Sequence, residues 1–242
     1  GVRQGDVVAY ACPGGSAAAV AFVSGITQCI AAPLDPSITE TDASLALEQL
    51  GVRHVVIFEG LDAAGLRAAA AARSDVVVHA AVLRGPNGPC GLYTLVRGDP
   101  VEGGPAASPD HPSDGKLATS SQDVVLLLRT SGTTSRPKCV PLRQDALVRN
   151  ALLLGASIEL APSDVCLNAM PLFHIGGLSA ALLASWTVGS AVTCLPAFSP
   201  LTFCDALGAS PRPTWYSAVP TIHQAIVTHV HDSGCTLNHS LR

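Results

Sequence analysis

The stretch Asp123-Val-Val-Leu-Leu-Leu-Arg-Thr-Ser-Gly-Thr-Thr-Ser-Arg-Pro-Lys138 decides how this chain is read. Asp123 to Leu128 is an apolar run of the kind shown by a strand buried on both faces of a parallel sheet. Six small or hydroxyl residues follow, Thr130 to Ser135, and then Arg136-Pro137-Lys138. Gly132 has no Cβ, so the backbone there can approach a ligand closely. Hydroxyls and backbone N–H groups suit phosphate oxygens, and Lys138 supplies a mobile positive charge. The alternative reading is a polar surface loop, which Ser/Thr/Gly clusters commonly form. The NTPase P-loop pattern does not fit, because Pro137 stands where its second Gly belongs and Cys139 where its Ser or Thr belongs.

Upstream, the pattern alternates. Strands are expected at Val7–Ala11, Cys29–Pro33, His54–Phe58 and Asp75–His79. Helices are expected at Ser16–Thr27, at Thr39–Leu50 with Thr39 or Thr41 as cap and Gly51 as stop, and from a cap at Asp62 to Ala72. This order implies an α/β fold, doubly wound, with mostly parallel sheets and helices on both faces. Residues 98–122 are rich in Pro, Gly and Ser and read as a long loop. The organisation expected is a first α/β lobe over 1–97, this loop over 98–122, and a second lobe over 123–242. In the second lobe, helices are expected at Gln144–Leu160, Ile175–Val188, Leu201–Leu207 and Thr221–Val230. Strands are expected at Val165–Met170, Ala191–Leu195 and Thr214–Ser217.

Composition narrows the function classes. The chain is 48% hydrophobic and 13% charged, enough to bury a large core. Its net charge of −4 includes no basic run, so no nucleic-acid partner is expected. The eight Cys show no Cys-x-x-Cys spacing and no zinc-like Cys/His cluster, which points to a reducing compartment and no thiolate-held metal. Two charge-free stretches, Val7–Leu34 and Ile175–Phe203, are broken by Pro and Gly and are expected to fold as buried elements rather than membrane spans.

Thr130-Ser-Gly-Thr-Thr-Ser-Arg-Pro-Lys138 resembles the AMP-binding signature of the adenylate-forming superfamily, which includes acyl-CoA synthetases, aryl-CoA ligases and luciferases. Pro171-Leu-Phe-His-Ile-Gly-Gly-Leu178 and Thr214-Trp-Tyr-Ser-Ala-Val-Pro-Thr-Ile-His-Gln224 resemble later family segments, in the right order. Gly5-Asp-Val-Val-Ala9 and Ala32-Pro-Leu-Asp-Pro36 resemble the opening strand and the turn after the first helix. Ser135-Arg136 and the segment at 214–224 look most like the oxalate–CoA ligase branch.

The resemblance implies the N-terminal portion of an acid–CoA ligase. Such an enzyme uses ATP, Mg2+ and coenzyme A to activate a small carboxylic acid. Thr130, Ser131, Gly132, Thr133, Thr134 and Ser135 would contact phosphates, and Lys138 would balance charge on the departing pyrophosphate. Arg136 would either pair with phosphate or stay solvated. His174 would line the acyl pocket, the alternative being a hydrogen-bonded corner residue. His223 would meet a small anionic acid, the alternative being a structural role. Trp215 and Tyr216 are expected to pack in the core.

Ser135 and Cys139 stand where most relatives have Gly, and Cys139 is expected to crowd the exit of the loop. The family's magnesium-binding Glu motif, ribose-binding Asp and C-terminal Lys are not found among these 242 residues. The chain alone is therefore expected to be inactive, with a sheet edge open at its C-terminal end. A non-catalytic accessory subunit whose partner covers that edge is the alternative. A cytoplasmic or peroxisomal location fits the family.

Overall fold

The computed structural model describes residues 2–85, 89–98, 120–130, 137–234 and 237–242. It divides into two compact units, one of 1–13 and 20–145, the other of 14–19 and 146–242.

The first unit is built on a seven-stranded sheet. Its strands are β1 (Val7–Ala11), β2 (Ile30–Pro33), β3 (His54–Phe58), β4 (Val77–Leu83), β5 (Tyr93–Arg97), β6 (Val124–Arg129) and β7 (Cys139–Arg143). They lie in the order β5-β4-β3-β1-β2-β6-β7. The five inner strands run parallel, and both edge strands run antiparallel to their neighbours. The expected α/β fold with a mostly parallel sheet is therefore the observed one.

Helices α1 (Ser16–Gln28), α2 (Glu40–Gln49) and α3 (Ala64–Ala71) connect the inner strands. Strand side chains alternate between faces, and each face takes its own helices. Ala9, Ala11, Val55 and Ile57 pack with Leu47 of α2 and Leu66 of α3. Val8, Tyr10, Val56 and Phe58 point the other way, beside Ala21 and Gly25 of α1. Leu47 and Leu66 are fully buried, and each such side chain stabilises the fold by about 2 kcal/mol. Thr39 caps α2 by accepting from the Asp42 N–H. Gly51 ends the connection at φ +63°, a conformation that glycine adopts without strain.

Two expectations are corrected here, and two strands are added. Asp62 does not cap α3: the cap position is Ala63 and no side chain bonds there. Strands β5 and β7 were not foreseen. Finally, β6 pairs with β2 through Ala31 and Leu126, so the strand before the loop belongs to the first unit and not to a second lobe beginning at 123. Its apolar side chains complete a sheet that would otherwise end at β2. Most of the expected 98–122 loop lies outside the described residues.

The second unit holds α4 (Gln144–Ser157), the parallel pair β8 (Val165–Asn168) and β9 (Ala191–Cys194), and helices α5 (Ala184–Thr187), α6 (Pro200–Gly208) and α7 (Pro220–Ser233). Gly176–Leu183 is π-helical and runs directly into α5. Helix α4 buries Leu147, Ala151 and Gly155, spaced four apart, and leaves Leu152 and Leu153 exposed. Ser199 and Thr202 form a reciprocal cap on α6. The expected strand at Thr214–Ser217 is only a bridge from Trp215 to Cys166. No helix among the described residues is long and apolar enough to cross a membrane.

Candidate nucleotide and acyl site

The apolar strand β6 ends in a charge, Arg129, and the chain then turns back as β7. Arg129 and Cys139 face each other in the ladder. One step further out, Thr130 and Lys138 close the mouth of the turn. The Thr130 N–H donates to the Lys138 carbonyl at 2.9 Å. The Lys138 N–H donates to Thr130 Oγ1 at 3.1 Å. Both residues are exposed, and the Thr130 hydroxyl keeps its own proton to donate. The loop is thus a hairpin connection whose ends are fixed by two hydrogen bonds at the carboxyl end of a buried parallel strand. In open α/β sheets that is the end where ligands bind. Ser131, Gly132, Thr133, Thr134, Ser135 and Arg136 lie outside the described residues.

Two neighbours of the clamp bear on its electrostatics. Arg129 donates from Nη1 to the Asp42 carbonyl at 3.2 Å, while its Nε and Nη2 are buried with no hydrogen-bond partner among the described residues. Burial pushes its pKa below the usual arginine value, with Asp42 and Cys139 opposing. Sequence reasoning missed Arg129; the available signal was a cation ending an otherwise apolar strand. Cys139 is exposed and stands one residue outside the clamp, as the first residue of β7. Partial burial pushes its thiol up, with Arg129 opposing.

In the second unit, β8 delivers the chain into a tight corner. Asn168 brackets that corner, accepting from the Met170 N–H at 3.0 Å and donating to the Met170 carbonyl at 3.2 Å. A Cβ on Gly177 would come within 2.7 Å of the Pro171 carbonyl oxygen, so the corner admits only glycine there. His174 sits at the turn, exposed, with its ring 4.6 Å from that of Phe173. Its N–H donates to the Pro171 carbonyl, and its carbonyl accepts from Leu178. The π-helical segment that follows is tied to α4 through Ser179 Oγ, which donates to Asn150 Oδ1 at 2.9 Å. Such segments frequently occur at functional sites.

His223, in the first turn of α7, is also exposed, and its Nδ1 lies 2.6 Å from Tyr216 Oη. Tyr216 packs edge-on against Phe203, and burial pushes its phenol pKa up. Tyr216 is therefore both a packing residue and the orienting partner of His223. Trp215 is buried, as expected. Among the described residues no hydrogen bond or ring contact joins His174 to His223. No group of three or more His, Cys, Asp or Glu placed to hold a metal ion occurs among the described residues.

The family model for AMP-binding enzymes matches residues 1–242. A probable CoA ligase of Humulus lupulus is 37% identical over 236 residues, covering 94% of this chain and 42% of that protein. An oxalate–CoA ligase of Arabidopsis thaliana is 34% identical over 231 residues, covering 94% of this chain and 42% of that protein. The chain thus spans about two fifths of these relatives. Among solved structures, ATP-bound MatB from Rhodopseudomonas palustris superposes with a TM-score of 0.72 at 24% identity, covering 94% of this chain and 42% of that one. The N-terminal domain of FACL13 from Mycobacterium tuberculosis does so with a TM-score of 0.74 at 20% identity, covering 100% of this chain and 56% of that one. At these identities the structures are similar in fold.

Proposed function

The chain belongs to the AMP-binding enzyme family, and from that premise we propose that it is the part of an acid–CoA ligase that grips the ATP polyphosphate and forms one wall of the acyl site. In the first step a carboxylate oxygen of the acid attacks the α-phosphorus. The bond to the bridging oxygen breaks, and pyrophosphate leaves. In the second step the CoA sulfur attacks the acyl carbon, the bond to AMP breaks, and the thiol proton is lost to solvent.

The residues of this chain act mainly in the first step. The loop from Thr130 to Ser135 offers hydroxyls and N–H groups to the β- and γ-phosphates, joined by Arg136. Lys138 balances charge on the departing pyrophosphate. His174 lines the acyl pocket. His223 contributes Nε2 to a small anionic acid, because its Nδ1 is taken up by Tyr216. Magnesium accompanies the nucleotide.

The observation that carries this reading is the clamp between Thr130 and Lys138, which ties together the two residues flanking the Ser/Thr/Gly-rich segment at the carboxyl end of β6. Oxalate is the acid proposed, on the likeness to oxalate–CoA ligases. The test is acid-dependent ATP–pyrophosphate exchange by the full-length protein. Exchange that depends on oxalate or another small carboxylate supports the reading, and none with any of them overturns it.

A further inference from the structure

Asp6, His54 and His79 form a chain of titratable groups on three neighbouring strands, well apart from the phosphate loop in the sequence. Asp6 immediately precedes β1, His54 opens β3, and His79 is the third residue of β4. His54 Nδ1 lies 3.1 Å from His79 Nε2, and His54 Nε2 lies 3.5 Å from Asp6 Oδ2. His79 is 9% exposed, and the His54 side chain 12%. Asp6 is itself fixed by the Arg3 N–H at 2.8 Å.

Two imidazoles in this geometry accept only some protonation states. The Asp6 carboxylate, 3.5 Å from His54 Nε2, favours the tautomer with the proton on that nitrogen. With both rings neutral, His79 Nε2–H donates to the His54 Nδ1 lone pair. With one added proton, His54 Nδ1–H donates to the lone pair of a neutral His79. With two added protons, both facing nitrogens carry hydrogens, and no acceptor remains between them. The bond then becomes a like-charge contact in a poorly solvated place.

We propose that Asp6, His54 and His79 form a proton-sensitive latch, which ties β1, β3 and β4 together while the imidazoles share at most one extra proton and loosens β4 when they carry two. The surroundings set where this happens. Burial pushes the His79 pKa below the ordinary histidine value, and His54 and Arg97 of β5 act in the same direction. Asp6 is the anion of the group, and Arg53 flanks His54 in the chain. The nearby Cys29 thiol, pushed up to about 12 by burial and then by Asp6, stays neutral throughout. The second proton therefore binds only below the usual histidine range. Strand β4 is held on its other side by β5, an edge strand with Leu95 exposed, so its loosening frees that edge of the sheet.

The test is amide hydrogen exchange of the full chain between pH 7.5 and 5, corrected for intrinsic exchange rates and compared with His79→Gln and His54→Gln. In the unsubstituted protein, protection in β4 and β5 should fall about tenfold on acidification, the change expected for one pKa unit, while β8 and β9 keep theirs. Either Gln variant should lose this pH dependence, because Gln cannot take up the proton. The same fall in a folded variant, or no fall in the unsubstituted protein, overturns the latch. Imidazole NMR of the unsubstituted protein gives an independent reading. Two separated titration steps are expected, and two rings titrating together as ordinary histidines overturn the proposal even if neither variant folds.

Discussion

Thr130 and Lys138 hydrogen-bond to each other twice, once through backbone alone and once through the threonine hydroxyl. The backbone of Lys138 is therefore part of the hairpin, while its exposed ammonium is the group proposed to meet the pyrophosphate. Position and charge can be separated by substitution. Lys138→Met keeps both backbone contributions and removes the charge. In the full-length enzyme we expect ATP–pyrophosphate exchange to fall about 100-fold, the scale for losing one group that stabilises developing charge. The melting temperature should stay within about 2 °C, since the side chain is exposed. Thr130→Val keeps the backbone bond and loses the other, and is expected to give a smaller fall.

The corner that holds His174 is built by Asn168 and Gly177, so truncating the imidazole should leave it standing. His174→Ala is expected to raise the KM for the acid about tenfold, as for one lost hydrogen bond to a charged group, with the KM for ATP unchanged. Steady-state kinetics with each substrate varied in turn checks this. His223→Ala should raise the acid KM less, and Tyr216→Phe less again, because Tyr216 only orients the ring.

What could be read in the sequence was set by burial. His54–Phe58 matches β3 to the residue, because the four buried positions after His54 form an unbroken apolar run, as a strand covered on both faces requires. Strands β5 and β7 gave no such signal. Tyr93–Arg97 has no fully buried residue, and Cys139–Arg143 contains Pro141, which only an edge strand accommodates. The segment Thr214–Ser217 resembles a strand in composition, yet only Trp215 makes a bridge. Lys138 and His174 stood out as candidates because their residue types carry their chemistry openly, and both are exposed. Arg129 did not, because its surroundings include a hydrogen bond to the Asp42 carbonyl of α2, a contact between residues 87 apart.

The packing of α2 and α3 on the sheet gives a stability test unconnected with catalysis. Leu66 is fully buried between α3 and the sheet, whereas Leu153 on α4 is 65% exposed. Leu66→Ala should cost about 3 kcal/mol, from lost transfer energy and the cavity left behind. Leu153→Ala should stay within about 0.5 kcal/mol. Urea unfolding followed by circular dichroism measures both, and equal shifts would contradict the packing described.

Asp164 gathers the second unit's polar contacts. Its side chain, 7% exposed, accepts from Thr214 Oγ1 at 2.7 Å, the Ala161 N–H at 2.8 Å, and Arg242 Nε and Nη2 at 3.0 and 2.9 Å. Burial alone would push its pKa up, but the Thr214, Ala161 and Arg242 hydrogen bonds outweigh it and hold the carboxyl below the usual aspartate value. A carboxyl lowered on folding contributes stability that is present above its unfolded value and lost as the pH falls through its folded value. Acid unfolding of this unit should therefore gain a component below about pH 3.9, the ordinary aspartate value. Asp164→Asn should lack that component and be less stable at neutral pH. Arg242→Ala removes two of the four donors but leaves Thr214 and Ala161 in place, so its expected cost is smaller, about 1–3 kcal/mol. Denaturant melts from pH 7 to 3 check both, and an unchanged pH profile in Asp164→Asn would show that this carboxylate does not couple protons to folding.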